Sequence, residues 1–201
     1  MRFTLAGMTE PAKPATEVVL DAKGLRALAH PLRVELVNLL RRHGPSTATR
    51  LADLLGVNSG TASYHLRRLG AAGFVEEDTE RGNARERWWR PVHQITRLAD
   101  VDLAEREPEA TLTYLQAVSA SYHLRVQQAL NAFDTMPRDW RRMFDLSSRS
   151  LRLTTGEAER LRDELDEVLD RYRRDAPEAV APEGAERLSL ITLFLPDLEE
   201  S

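Results

Sequence analysis

Residues 46–91 read STATRLADLLGVNSGTASYHLRRLGAAGFVEEDTERGNARERWWRP, and this stretch decides the architecture. Leu51, Leu54 and Leu55 recur at helical spacing behind Ser46 and Thr47, either of which can cap a helix, and Gly56 stops the run. Asn58 or Ser59 caps a second helix that extends to about Leu69, with Gly70 or Gly73 as its stop. Two short helices joined by a tight glycine-containing turn form a helix-turn-helix. Phe74-Val75-Glu76-Glu77 then reads as a strand. Gly82-Asn83 supplies a turn, and Glu86–Arg90 returns as a second strand with Trp88, Trp89 and Val92 as its apolar content. A hairpin placed directly after a helix-turn-helix is a wing.

At about 100° per residue, the second helix divides into two faces. Ala62, Leu66 and Leu69 share one side with His65 at its margin, and that side is expected to pack inward. Gly60, Ser63, Tyr64 and Arg67 lie opposite, flanked by Thr61 and Arg68, with Ser59 at the helix start. The outer face holds no acid and is rich in hydrogen-bond donors. A helix entering a major groove needs this, because it passes between two phosphate walls and reads base edges. Gly60 permits close backbone approach, Arg67 is suited to bidentate reading of guanine, and Tyr64 to a phosphate or a thymine methyl. The wing adds Arg81, Asn83, Arg85, Arg87 and Arg90, expected on phosphate or in the minor groove. Strand alternation puts Arg85 and Arg87 on one face and Glu86 and Trp88 on the other. Thr47 and Arg50, at the start of the first helix, join the expected backbone contacts.

Upstream, Thr16–Leu20 is expected to form a short strand. An apolar stripe from Lys23 through Leu25, Leu28 and Ala29 is interrupted at Pro31, which opens a new helix, PLRVELVNLLRRHG, ended by Gly44-Pro45. LRALAHPLRVELVNLL, followed by TRLADLLGVNSGTASYHLRRLGAAGFV and a basic wing, resembles the ArsR-like winged helix-turn-helix repressors. The matching features are the ALAHPLR opening, the LADLLGV helix, the AxxHLxxL recognition helix and GFV leading into the wing. The resemblance covers about residues 23–92. It implies a homodimeric transcription regulator on a roughly palindromic operator, and carries DNA contact onto Ser63, Tyr64, Arg67, Arg68 and the wing arginines. The chain departs from the family's metal sensors, which place cysteines where Leu51-Ala52-Asp53-Leu54 stands here. Its five histidines are scattered rather than set at ligand spacing. No metal site and no cofactor are expected, and His30 and His65 read as structural.

Composition narrows the remaining classes. The 201 residues are 42% hydrophobic and 30% charged, ordinary for a globular chain. No apolar run approaches the roughly 20 residues that span a membrane, and the first 20 residues hold no signal-peptide core, so a cytoplasmic protein is expected. The absence of cysteine excludes disulfides, thiolate metal sites and a cysteine nucleophile. Net charge is −4, but residues 1–100 carry 15 Lys and Arg against 11 Asp and Glu, net +4. Residues 101–201 carry 13 against 21, net −8. A basic DNA-binding half is thus joined to an acidic half that stays off DNA.

The expected organisation is a flexible arm at 1–15, a winged helix-turn-helix domain at 16–98, and a dimerisation and effector region at 99–201. The fold class is mostly α with a small β component. In the second half Glu107-Pro108 opens a long helix to about Phe133. Its stripe, Leu112, Leu115, Val118, Tyr122, Val126 and Leu130, is expected to form the dimer seam, with packing inside the chain as the competing reading. A short segment containing Trp140 follows. Ser150–Leu153, a helix from the Thr154-Thr155-Gly156-Glu157 capping box to about Arg174, and Leu188–Leu195 together read as a strand–helix–strand unit. Nothing in it has the pattern of a phosphate loop, a catalytic triad or a metal constellation, so no enzymatic activity is expected. The expected partners are double-stranded DNA, a second copy of the chain and an unidentified small-molecule effector. The competing readings are a ligand- or metal-gated sensor of the same fold, and a winged helix that docks on protein instead of DNA.

Overall fold

A computed structural model describes residues 17–81, 86–172 and 181–197. Strand β1 (Glu17–Val19) leads into α1 (Ala22–Leu28), capped by Asp21, whose Oδ1 accepts from the Gly24 amide at 2.6 Å. Pro31 stands in the first turn of α2 (Pro31–His43), where a missing N–H costs nothing. Gly44 ends α2 at a φ of 76°. The helix-turn-helix is α3 (Ala48–Leu55) and α4 (Ser59–Ala71), packed mainly on each other, with Gly56 in the left-handed region between them. Leu25, Leu36, Leu40, Leu51, Leu66 and Phe74 are fully buried where α1–α4 meet.

Helix α4 continues past Gly70, the earlier of the two expected stops. A Cβ there would meet Cζ3 of Trp89 at 3.1 Å, so the glycine accommodates the indole, and Gly73, at a φ of 81°, makes the turn. The wing is β3 (Val75–Glu77) against β4 (Trp88–Pro91), antiparallel, with Glu76 opposite Arg90. The returning strand starts two residues later than expected, so Arg87 precedes it. A two-residue strand, β2 (Ser46–Thr47), extends the sheet on the other side of β4. The expected strand near Leu20 is β1, and it pairs in parallel with β5 (Ile95–Arg97).

After β5 come α5 (Val101–Arg106) and the 24-residue α6 (Pro108–Asn131), which lies across α1 and α2. A single 3-10 turn (Phe133–Thr135) and the short α7 (Arg138–Arg141) follow. Helix α8 (Thr155–Asp170) carries the expected capping box: the Thr154 amide donates to Glu157 Oε2 at 2.8 Å, and the Glu157 amide to Thr154 Oγ1 at 3.3 Å. Arg97 ties α8 to the β1–β5 pair through Asp166 at 2.7 Å and Glu17 at 3.0 Å.

The architecture is mostly helical with few strands, but the expected strands at 150–153 and 188–195 do not form. Apolar content alone supplies no ladder partner, and Leu151, Leu153, Leu190 and Leu193 are exposed. Among the described residues no helix is long and apolar enough to cross a membrane. The arm at 1–15 lies outside the described residues, as does the expected end of α8 at Arg174.

Candidate nucleic-acid interface

Helix α4 is held in place by its apolar side and by its cap. Ala62, Leu66 and Leu69 are buried, and His65 follows them inward. Asn58 Oδ1 accepts from the Thr61 amide at 2.7 Å, satisfying one of the free donors of the first turn. The outward side carries Ser59, Gly60, Tyr64, Arg67 and Arg68, all exposed, with Thr61 and Ser63 half-buried at its edges. Arg67 lies back along its own helix, its Nε donating to the Ser63 carbonyl at 3.2 Å. The Arg68 guanidinium stands 6.0 Å from the Tyr64 ring. Among the described residues neither arginine forms an ion pair.

A cationic seat lies behind this face. The imidazoles of His30 and His65 are 4.5 Å apart, and Tyr64 meets His65 edge-on at 5.2 Å. Burial lowers the Arg33 guanidinium from its ordinary value, and the charge on Arg68 lowers it further. Arg33 is also anchored, its Nη2 donating to the Arg26 carbonyl at 3.1 Å. The potential around α4 is therefore positive on its outer face and along the edge it shares with α2. Sequence reasoning did not include Arg33; only the fold, in which α2 and α4 pack together, places it beside Arg68.

The wing has a different electrostatic character. Arg81 stands 3.4 Å from buried Asp78, Arg87 3.5 Å from Glu77, and Arg90 2.9 Å from Glu76. Its expected basic contacts are therefore matched by acids in the free protein. The strand register sets Arg90 opposite Glu76, while Arg81 meets Asp78 three residues away along the chain, and a count of arginines shows neither pairing. Asn83 and Arg85 lie outside the described residues. Arg50 is exposed, and its guanidinium sits 5.0 Å from the Trp88 ring centroid, which joins the start of α3 to the wing.

Thr47 departs from expectation. Its hydroxyl accepts from the Arg50 amide at 3.3 Å, its backbone pairs with Trp88, and it is 5% exposed. The cap and the β2 pairing hold it inside.

The expected seam on α6 also divides. Tyr114, Ala117 and Ser121 form the side buried against the rest of the chain, and Ser121 Oγ accepts from Asn38 Nδ2 at 2.9 Å. Leu112, Leu115 and Leu130 are 58%, 49% and 42% exposed. Val118 and Tyr122 turn toward α2, and Val126 is half-buried. No group of three or more His, Asp or Glu side chains among the described residues is placed to hold a metal ion.

Comparison with known proteins agrees with this geometry. Residues 28–78 match the model of a family described as a helix-turn-helix domain. Over 49 residues the chain is 35% identical to the transcriptional repressor PagR of Bacillus anthracis, across 24% of this chain and 50% of that protein. The chain thus spans about half the length of the curated relative it matches. The family match ends at Asp78, so β4 and everything after it stand on the geometry alone.

Proposed function

We propose that this chain, whose residues 28–78 form an ArsR-like helix-turn-helix domain, is a sequence-specific DNA-binding transcriptional regulator. In this reading it is a repressor that acts in the cytoplasm as a homodimer on a roughly palindromic operator. The observation that carries it is the outer face of α4, where Ser59, Gly60, Tyr64, Arg67 and Arg68 stand exposed with no acid among them. The opposite face is locked into the core by Ala62, Leu66 and Leu69. Such a helix meets phosphate walls without repulsion and offers donors to base edges. Thr61 and Ser63 add hydroxyls at the edge of the footprint. Arg50, Arg81 and Arg87 take backbone contacts, and the sequence adds Asn83 and Arg85 to them.

The homodimer is supported by α6. Leu112, Leu115 and Leu130 lie on the side opposite Tyr114, Ala117 and Ser121 and are left exposed by the described residues. Pairing of two such helices, with Val118, Tyr122 and Val126 along the edges, sets two copies of α4 about one DNA turn apart, roughly 34 Å. A gel shift at physiological salt tests the reading, using duplex from upstream regions of the protein's own genome with parent protein and Arg67→Ala. The parent shifts a specific fragment and the variant shifts it weakly. Absence of any shift across those regions would support a protein-docking winged helix instead.

A further inference from the structure

One cavity of about 80 Å³ lies away from the α4 face, between α2, α6 and β5. Leu28, Val34, Val37 and Val118 form its apolar wall, and Asn38, Arg41, Thr96, Tyr114 and Tyr122 supply polar atoms. Arg41 is the unusual member. Its Nε donates to the His93 carbonyl at 2.8 Å and its Nη2 to Thr96 Oγ1 at 2.7 Å, both neutral acceptors. A guanidinium has five N–H donors, and among the described residues no carboxylate pairs with this one. Arg125, one turn beyond Ser121 on α6, has a buried Nε with no hydrogen-bond partner. Burial holds the Arg41 guanidinium down to about 10; Tyr114 works against this, and the charge of Arg125 adds to it.

A guanidinium withdrawn from water without a counter-charge is costly unless an anion joins it. Arginine stays cationic near neutral pH even so, which leaves a positive charge facing a small, half-apolar space. A carboxylate matches its planar fork with two parallel hydrogen bonds. The leucine and valine wall suits a short hydrocarbon tail. The volume bounds the size: at roughly 15 Å³ per water-sized site, 80 Å³ holds about five non-hydrogen atoms.

We propose that this cavity binds a small aliphatic monocarboxylate, its carboxylate on Arg41 beside Arg125 and its tail against Val34, Val37 and Val118. The site joins α2, against which α4 packs, to α6, which carries the unpaired leucines. A bound acid therefore fixes the relation between the reading helix and the seam. That regulatory consequence rests on the proposed DNA binding, whereas ligand binding itself does not.

The test is isothermal titration of the full chain, without DNA, using sodium acetate, butyrate and hexanoate against the matching primary amides at equal ionic strength. The expected result is one site per chain for butyrate, with the amide at least about tenfold weaker, as expected for loss of a charge-assisted contact. Arg125→Gln weakens butyrate by a similar factor, and Val118→Phe, which fills the cavity, removes it. Because Arg41 also holds the His93–Thr96 segment, Arg41→Gln is interpreted only alongside its circular dichroism spectrum. The proposal is overturned if none of the acids binds, if acid and amide bind alike, or if folded Val118→Phe binds butyrate as the parent does. A chain that binds butyrate but shifts no DNA would keep this site and remove the regulator reading.

Discussion

His30 and His65 face each other with ring centroids 4.5 Å apart, one capping α2 and the other on the buried side of α4. The contact joins the reading helix to the helix beneath it, and both rings are kept neutral. Nδ1 of His30 accepts from the Leu32 amide at 3.2 Å, which an imidazolium cannot do. Burial lowers both pKa values below 6.5, with Arg33 adding to the effect at His30, and His30, Arg33 and Arg68 adding to it at His65.

The sign of the pH dependence follows. Each group binds its proton more readily unfolded than folded, so the stability they contribute is full above pH 6.5 and is lost as pH falls through the lower folded values. Thermal melts between pH 5 and 8 are expected to show falling Tm below about 6.5. His30→Asn keeps a good N-cap and removes one titrating group, so its melting curve against pH should be flatter. A parent Tm as high at pH 5 as at pH 7.5 would contradict this description of the seat.

Arg67 has no acidic partner among the described residues, and only the Ser63 carbonyl holds it in the free protein. Swinging it toward a base costs little. Arg67→Ala should weaken operator binding by about 1–3 kcal/mol and relax preference at one base position. Binding isotherms on the parent operator and its single-base variants measure both effects.

The wing gives a prediction of opposite direction for the two partners of one ion pair. Arg87 stands 3.5 Å from Glu77, and both are exposed. Arg87→Ala should lower the slope of log binding constant against log salt by up to about one unit. Glu77→Gln frees the arginine and should strengthen binding at every sequence. Unchanged affinity and slope in both variants would place the wing off the DNA.

On α6 the two faces should respond differently to the same chemistry. Leu112→Glu or Leu115→Glu leaves helix propensity nearly unchanged and places charge on an exposed face, so the monomer stays folded and the dimer is lost. Tyr114→Ala removes a buried aromatic and should cost about 3–5 kcal/mol of stability. Sedimentation velocity and urea melts on the three variants separate the effects. A dimer that persists in both leucine variants would place the seam elsewhere.

These contrasts show what the sequence made legible. The faces of α4 followed from a 3.6-residue period with Asn58 as cap, both local signals. The burial of Thr47 was not legible because it depends on β2 pairing with Trp88, 41 residues away. The inner face of α6 was hidden for another reason. Ala117 and Ser121 add nothing to an apolar stripe, yet small side chains let α6 lie close on α2 while the leucines point outward. In the sequence Arg41 is simply one of two adjacent arginines at the end of α2, and only the tertiary fold encloses it. The alternation at 150–153 and the apolar run at 188–195 are real, but a strand also needs a partner.

Whether α4 reads DNA is decided by selecting bound duplexes from a random pool. Affinity of the enriched sequence and of a scrambled one is then measured by fluorescence anisotropy at 150 mM salt. The expected motif is an inverted repeat with half-site centres about 10 base pairs apart, bound at least about a thousandfold more tightly than the scrambled duplex. A pool with no enriched motif, or equal affinity for the two duplexes, would contradict it.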